Sequence, residues 1–186
     1  MKPITELTYK LSESSVDALR SIIGEVMHTI YAPVLSISTG NNLVSSYSFA
    51  ISLENGFLNL WTKEIDGKSL YWQMHVERSV KPKNIVYEMD DQFNKYVLDH
   101  PSSIDLKSSS KLVSIEIYSD RDTQTVNTES DTLYSTYYDH SVVFVLENGD
   151  KFCISVDTGM PDDTVMGYDE KGINVLLKDL TLRQTI

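Results

Sequence analysis

Leu53-Glu54-Asn55-Gly56 and Leu146-Glu147-Asn148-Gly149 are the same four residues, 93 positions apart, and each follows an apolar run. Asn-Gly suits the two central positions of a tight hairpin turn, where both residues take positive φ. Before the first turn, Phe49, Ile51 and Leu53 alternate with Ser48, Ala50 and Ser52. That period of two predicts a strand exposed on one face. Before the second, Val142-Val143-Phe144-Val145-Leu146 is continuously apolar, the pattern of a strand buried on both faces. Hairpins of this kind predict an α+β, β-rich fold of antiparallel hairpins and a meander.

The same offset aligns Leu19, Ser21 and Ile22 with Leu112, Ser114 and Ile115, and Ser48 with Ser141. Two readings stand: a pair of pseudo-repeated β units, 1–88 and 105–186, or two hairpins that share a common turn sequence. Past the turns the match fades, with Leu58 opposite Lys151 and Asn59 opposite Phe152. Either way the length of 186 residues fits a single domain, 1–186.

Further strands extend the pattern. Asp66-Gly67 is another hairpin turn, after which Leu70, Trp72, Met74 and Val76 alternate with Tyr71, Gln73, His75 and Glu77. Strands near 47–53, 57–64 and 69–78 therefore make a meander. Ser14-Ser15-Val16-Asp17 predicts a brief capped helix before a strand. Phe93, Tyr96 and Val97 suit a second short helix from Asp90 to Leu98, stopped by Pro101. Ser102-Ser103 and Ser108-Ser109-Ser110 read as a polar loop. Val113, Ile115 and Ile117 read as one strand face, Asp120 to Asp131 as a polar hairpin tip. In the tail, Ile173, Leu176, Leu177 and Leu180 suit a helix, while Leu180, Leu182 and Gln184 alternate as a strand does.

Charge is distributed unevenly. Residues 1–88 carry 8 Lys+Arg against 9 Asp+Glu; residues 89–186 carry 8 against 18, nearly all of the net charge of −11. Between Glu116 and Glu170, Arg121 and Lys151 face 13 carboxylates. Such a field repels nucleic acid and anionic membrane and attracts basic partners. Met1 to Leu7 has no apolar run of the signal-peptide kind, no stretch approaches the roughly 18 apolar residues of a membrane span, and Cys153 is the single cysteine. The expectation is a cytoplasmic protein.

Motifs for chemistry are sparse. The eight glycines stand singly and form no phosphate loop. His28, His75, His100 and His140 lie at least 25 residues apart, unlike zinc ligands. Asp120-Arg121-Asp122-Thr123-Gln124-Thr125 lacks the third ligand and the glycine of a calcium loop. Asp162-Asp163 and Asp169-Glu170 could each hold a weak divalent ion, though nothing in their spacing requires it. The expectation is no catalytic residue, no metal ligand and no cofactor. One geometric exception is that Cys153 and His140 could meet at one end of a hairpin, which keeps open an enzymatic or small-molecule-binding β domain.

Glu129-Ser130-Asp131-Thr132-Leu133-Tyr134-Ser135-Thr136-Tyr137-Tyr138-Asp139 sets three tyrosines among three carboxylates. Tyrosine offers contact area at small entropic cost, and carboxylates steer cationic partners. In a strand, Tyr137 and Tyr138 face opposite ways, so one lies off the core face. The expected partner-binding residues are Asp120, Asp122, Glu129, Asp131, Tyr134, Tyr137, Tyr138, Asp139, Asp162 and Asp163.

With these turns and the acidic stretch from Asp120 to Asp139, the chain resembles the small acidic immunity proteins encoded beside toxins of bacterial contact-dependent inhibition and other polymorphic toxin systems. The resemblance covers the whole chain in character: size, β-rich hairpins and acidic charge. These proteins share no signature motif, so no functional residue transfers. The resemblance implies a non-enzymatic inhibitor that binds one cognate basic toxin domain, often a nuclease. The acidic charge sets the expectation of no nucleic acid and no membrane as partner. Exposed hairpin edges also permit a homodimer.

Overall fold

The computed structural model describes residues 4–38, 40–64, 72–90, 92, 95–98, 101–125, 133–157 and 163–186. Along them run β1 (Ile4–Tyr9), α1 (Glu13–Arg20), β2 (Val26–Ala32), β3 (Ser36–Ser38), β4 (Leu43–Ser46), β5 (Ser48–Leu53), β6 (Gly56–Glu64) and β7 (Trp72–Ser79). There follow β8 (Tyr87–Asp90), β9 (Lys95–Leu98), β10 (Ser102–Thr125), β11 (Leu133–Leu146), β12 (Lys151–Val156), β13 (Thr164–Gly167), α2 (Glu170–Leu176) and β14 (Thr181–Thr185). The α+β, β-rich class is as the sequence predicts.

The main sheet runs β3-β4-β13-β12-β11-β10-β2-β5-β6-β7. β1 lies parallel to the first half of β11, β14 antiparallel to β10, and β8–β9 form a separate hairpin. β10 belongs to both halves of the fold: its residues 102–111 pair with β2, and 112–125 pair with β11. The sheet then folds back on itself, so that β7 meets β11 and β12. Phe49, Ile51, Leu58, Leu60 and Met74 thereby share one core with Ile115, Ile117, Phe144, Phe152 and Ile154, with Val16 and Leu19 of α1 packed against it. Each such fully buried side chain contributes roughly 1.5–3 kcal/mol. Phe144 and Phe152 stack across the β11–β12 hairpin at 4.7 Å between centroids.

Both Leu-Glu-Asn-Gly segments do turn hairpins, but with other geometry than predicted. Only the glycines take positive φ, Gly56 at 98° and Gly149 at 88°, and neither Asn55 nor Asn148 does. Gly149 N–H donates to the Leu146 carbonyl at 2.9 Å and Leu146 N–H to the Asp150 carbonyl at 2.9 Å. This is a turn closed by a left-handed glycine at the strand entry, the three-residue hairpin loop. The units β2-β5-β6-β7 and β10-β11-β12-β13 have the same antiparallel order. Their registers differ: Ile51 faces Ile30, whereas Phe144, 93 residues on, faces Ile115 rather than Thr123.

Four local expectations are corrected. β5 is buried on both faces for most of its length, including Ser48 and Ala50, because the chain after β7 lies over its outer side. Buried Asn59 holds that segment, donating to Ser79 Oγ (2.9 Å) and the Lys81 carbonyl (3.1 Å) and accepting from Lys83 N–H (2.8 Å). The helix expected over 90–98 is instead the β8–β9 hairpin, with Glu88 opposite Val97 and Met89 opposite Tyr96. Aromatic and β-branched residues favour a strand wherever a partner strand is at hand. The serine-rich loop is the start of β10, where Ser102, Ser103 and Ser110 pair with Ala32, Tyr31 and Met27. Val113 is 46% exposed because the register slips there, Leu112 facing Leu146 and Ser114 facing Val145; the inward face is Leu112, Ile115 and Ile117.

At the amino end α1 is capped by Ser12, not by Ser14: its hydroxyl accepts Ser15 N–H at 3.1 Å. The tail takes both forms in turn, α2 and then β14. The expected turn at Asp66-Gly67 lies outside the described residues. Among the described residues no helix is long and apolar enough to cross a membrane.

Candidate functional site

Residues 133–139 of the tyrosine-rich acidic segment belong to β11, and the carboxylate at their end is sequestered. Asp139 is 4% exposed. Its carboxylate accepts Leu11 N–H (2.7 Å), Ser119 Oγ–H (2.7 Å) and two bonds from Arg183, Nε at 2.7 Å and Nη2 at 2.8 Å. It has no capacity left for a partner, which corrects its expected role. Tyr138 is buried and its hydroxyl donates to Asp120 Oδ2 at 3.1 Å. Tyr137 is the half-exposed one of the pair, with Lys10 Nζ 5.8 Å above its ring.

The expected loop from Asp120 is strand as far as Thr125, with the backbones of Asp122 and Thr136 paired, and those of Gln124 and Tyr134. The chain pairs here because β11 offers a complete run of partners. Asp163 precedes β13 and its carbonyl accepts Asp157 N–H at 3.1 Å. Glu129, Asp131 and Asp162 lie outside the described residues.

The carboxylates that do come together flank α2. Asp169 caps this helix, accepting Gly172 N–H at 2.8 Å and the Asn42 amide at 2.6 Å. Those bonds, the backbone one first, hold its carboxyl below the usual range. Lys171 Nζ donates to the Gly40 carbonyl at 2.9 Å. With two glycines facing, the helix seats directly on β13: a Cβ on Gly167 would lie 2.6 Å from the Gly172 carbonyl carbon.

Seated so, α2 leaves a cleft of about 640 Å³ between itself, β10 and the β11–β12 turn. Val143, Ile173 and Leu177 form an apolar wall. Asp105, Glu116, Asp150, Asp169 and Glu170 line it together with Lys151, Tyr118 and Tyr168. Tyr118 hydroxyl donates to Glu116 Oε2 at 3.0 Å, and Lys151 Nζ stands 3.5 Å from Glu116 Oε1. Burial, and then the Glu116 bond and charge, push the Tyr118 phenol above its ordinary value.

None of these five carboxylates is among the expected partner-binding residues; the sequence marks only Asp169-Glu170, as a possible weak divalent-ion pair. Four fall inside the acidic stretch from Glu116 to Glu170, and Asp169 three residues before Gly172 is a helix-cap spacing. No sequence signal connects Asp105 to them.

On the opposite side of α2 lies a cleft of about 510 Å³ lined in part by Ser36, Ser38, Asp120, His140, Asp157 and Lys178. His140 reaches it through a β-bulge. Tyr118 faces Ser141 and Ser119 faces Asp139, so His140 is the extra residue of β11. Burial lowers the His140 pKa, opposed by the charges of Asp120 and Asp157. Its Nδ1 is 2.7 Å from Ser141 Oγ, which is 2.7 Å from Ser155 Oγ, itself 3.5 Å from Cys153 Sγ.

The Cys-His pair considered from sequence does not form directly, since Cys153 pairs with Val143 in the register. Burial pushes the Cys153 thiol up to about 12. A thiol so protonated is no nucleophile near neutral pH. Among the described residues no three His, Cys, Asp or Glu side chains stand together to hold a metal ion.

Lys83 Nζ sits 3.5 Å over the Trp61 ring, and Trp61 stacks on His75 at 5.5 Å. Burial, with Lys63 and Lys83, lowers the His75 pKa. Compared with protein-family models, curated proteins and solved structures, the chain matches none.

Proposed function

We propose that this chain is an immunity-type inhibitor that binds a cognate basic toxin domain, of the nuclease class, and keeps it inactive. The observation that supports the reading is the cleft beside α2, where, among the described side chains, Asp105, Glu116, Asp150, Asp169 and Glu170 stand against one cation, Lys151. A net negative field over an apolar wall steers a basic protein and then gives it dry surface to pack on. A tight complex needs about 800 Å² per partner, so contact extends from the cleft onto α2 and the β11–β12 turn. The inhibitor then occupies the surface a basic nuclease presents to phosphate.

The test is co-expression with the product of the adjacent open reading frame. The two should co-purify, and Asp105→Lys with Glu170→Lys should slow association and flatten its salt dependence. Absence of any complex with the neighbouring product sinks the reading. A second reading, a small-molecule-binding or enzymatic β domain, is favoured by the His140 cleft, which gathers an imidazole, two carboxylates and serine hydroxyls. It requires a small-molecule ligand whose binding is abolished by His140→Ala.

A further inference from the structure

Among the described residues lining the acidic cleft, one charge has the wrong sign. Lys151 opens β12, just after the β11–β12 turn, and its side chain is 44% exposed. Its partner Glu116 is 21% exposed and fixed in place by the Tyr118 hydroxyl on the other oxygen. The Lys151–Glu116 separation of 3.5 Å is well beyond the roughly 2.7–2.9 Å of a strong charge-assisted bond. The carboxylate is therefore positioned, while the ammonium beside it is loosely held.

We propose that the cleft takes one arginine side chain of a basic protein, with the guanidinium on Glu116, and that Lys151 is an internal placeholder which this arginine displaces. The proposal rests on the binding reading above and names the chemistry of its central contact. Charge complementarity argues for a cation, since among the described residues five acidic ones line the cleft against one lysine. The apolar wall of Val143, Ile173 and Leu177 argues for a cation on a methylene stem. Glu116 and the Tyr118 ring beside it argue for arginine over lysine. A guanidinium makes two parallel bonds to a carboxylate and stacks on an aromatic face, whereas an ammonium is a more strongly hydrated point charge.

The experiment titrates the intact ¹⁵N-labelled chain with N-acetyl-arginine methylamide, using the neutral citrulline and the lysine analogues as controls. The arginine probe should shift the amide resonances of Val143, Lys151 and Ile173, and the citrulline probe should not. Lys151→Met should tighten the arginine probe at least about three-fold, because the competing cation is gone. Glu116→Gln should loosen it about ten-fold, the loss of one charge-assisted hydrogen bond.

Lys151 is exposed at a strand end, so its variant retains the fold and carries the test even if Glu116→Gln unfolds. Unchanged or weaker binding by Lys151→Met overturns the placeholder. Equal binding of citrulline or of the lysine analogue, or shifts confined to other surfaces, overturns the arginine site. If the probe binds as described but no neighbouring product co-purifies, the toxin reading falls and the cleft stands. If a toxin binds and the probe does not, the reverse holds.

Discussion

Arg183 clamps Asp139 through two nitrogens, Nε to Oδ1 at 2.7 Å and Nη2 to Oδ2 at 2.8 Å, with 2% of the Asp139 side chain exposed. The clamp ties β14 to β11 across β10, and the same carboxylate holds Leu11 N–H ahead of α1. Removing one member of a buried pair strands the other. Asp139→Ala should therefore lower unfolding stability by about 3–5 kcal/mol. Arg183→Met should cost less, since Asp139 keeps Ser119 and Leu11 as donors. Urea denaturation of both variants measures the difference; equal losses would assign the whole effect to the ion pair.

Gly172→Ala should destabilise the seat of α2. The added Cβ would lie 2.5 Å from the Asn42 carbonyl oxygen and 3.1 Å from Gly167 Cα. Backbone cannot yield as a side chain end can, so a cost of about 1–3 kcal/mol is expected, the range for overpacking. The thermal midpoint checks it, and a neutral result would mean that the helix lifts freely.

Asp169 makes stability depend on acid. Its folded pKa is lowered from 3.8, so the unfolded chain takes up the proton first as pH falls. The contribution is present above the ordinary carboxylate range and is lost as pH drops through 3.8 and below. Asp169→Asn keeps a cap acceptor without the titration. Its stability between pH 5 and pH 2.5, read by urea midpoints, should fall less steeply than that of the parent chain.

Cys153 should resist thiol reagents. Its pKa of about 12 leaves almost no thiolate at pH 8, and the side chain is fully enclosed. Labelling with an aromatic disulfide reagent should be negligible in buffer and complete in urea. Because the folded thiol holds its proton more tightly than the unfolded value of 9.0, its contribution is complete below pH 9 and is lost as pH rises toward 12. Cys153→Ala should flatten that alkaline decline.

The hairpins were legible because their signals are local. Asn-Gly between apolar runs names a turn, and alternation over Leu70 to Glu77 names a strand's two faces. So the β-rich class, the β5-β6-β7 meander and the β11–β12 pair could all be read from the chain. Where a signal was locally ambiguous, the pairing strand decided it. Tyr96 and Val97 became strand against Glu88 and Met89, and the serines of β10 became strand against β2.

The site was set at a distance. Asp139 reads as an exposed acidic strand end until Arg183, 44 residues later, arrives on β14 to enclose it. Asp105 joins Asp150 and Glu170 at one cleft only because β10 runs from one half of the fold into the other. Single-residue slips at Val113 and His140 reverse which side chains face in. Turn and strand preferences act between neighbours in sequence, and the residues themselves carried them. Charge and burial act through space, and only the folded register assigned them.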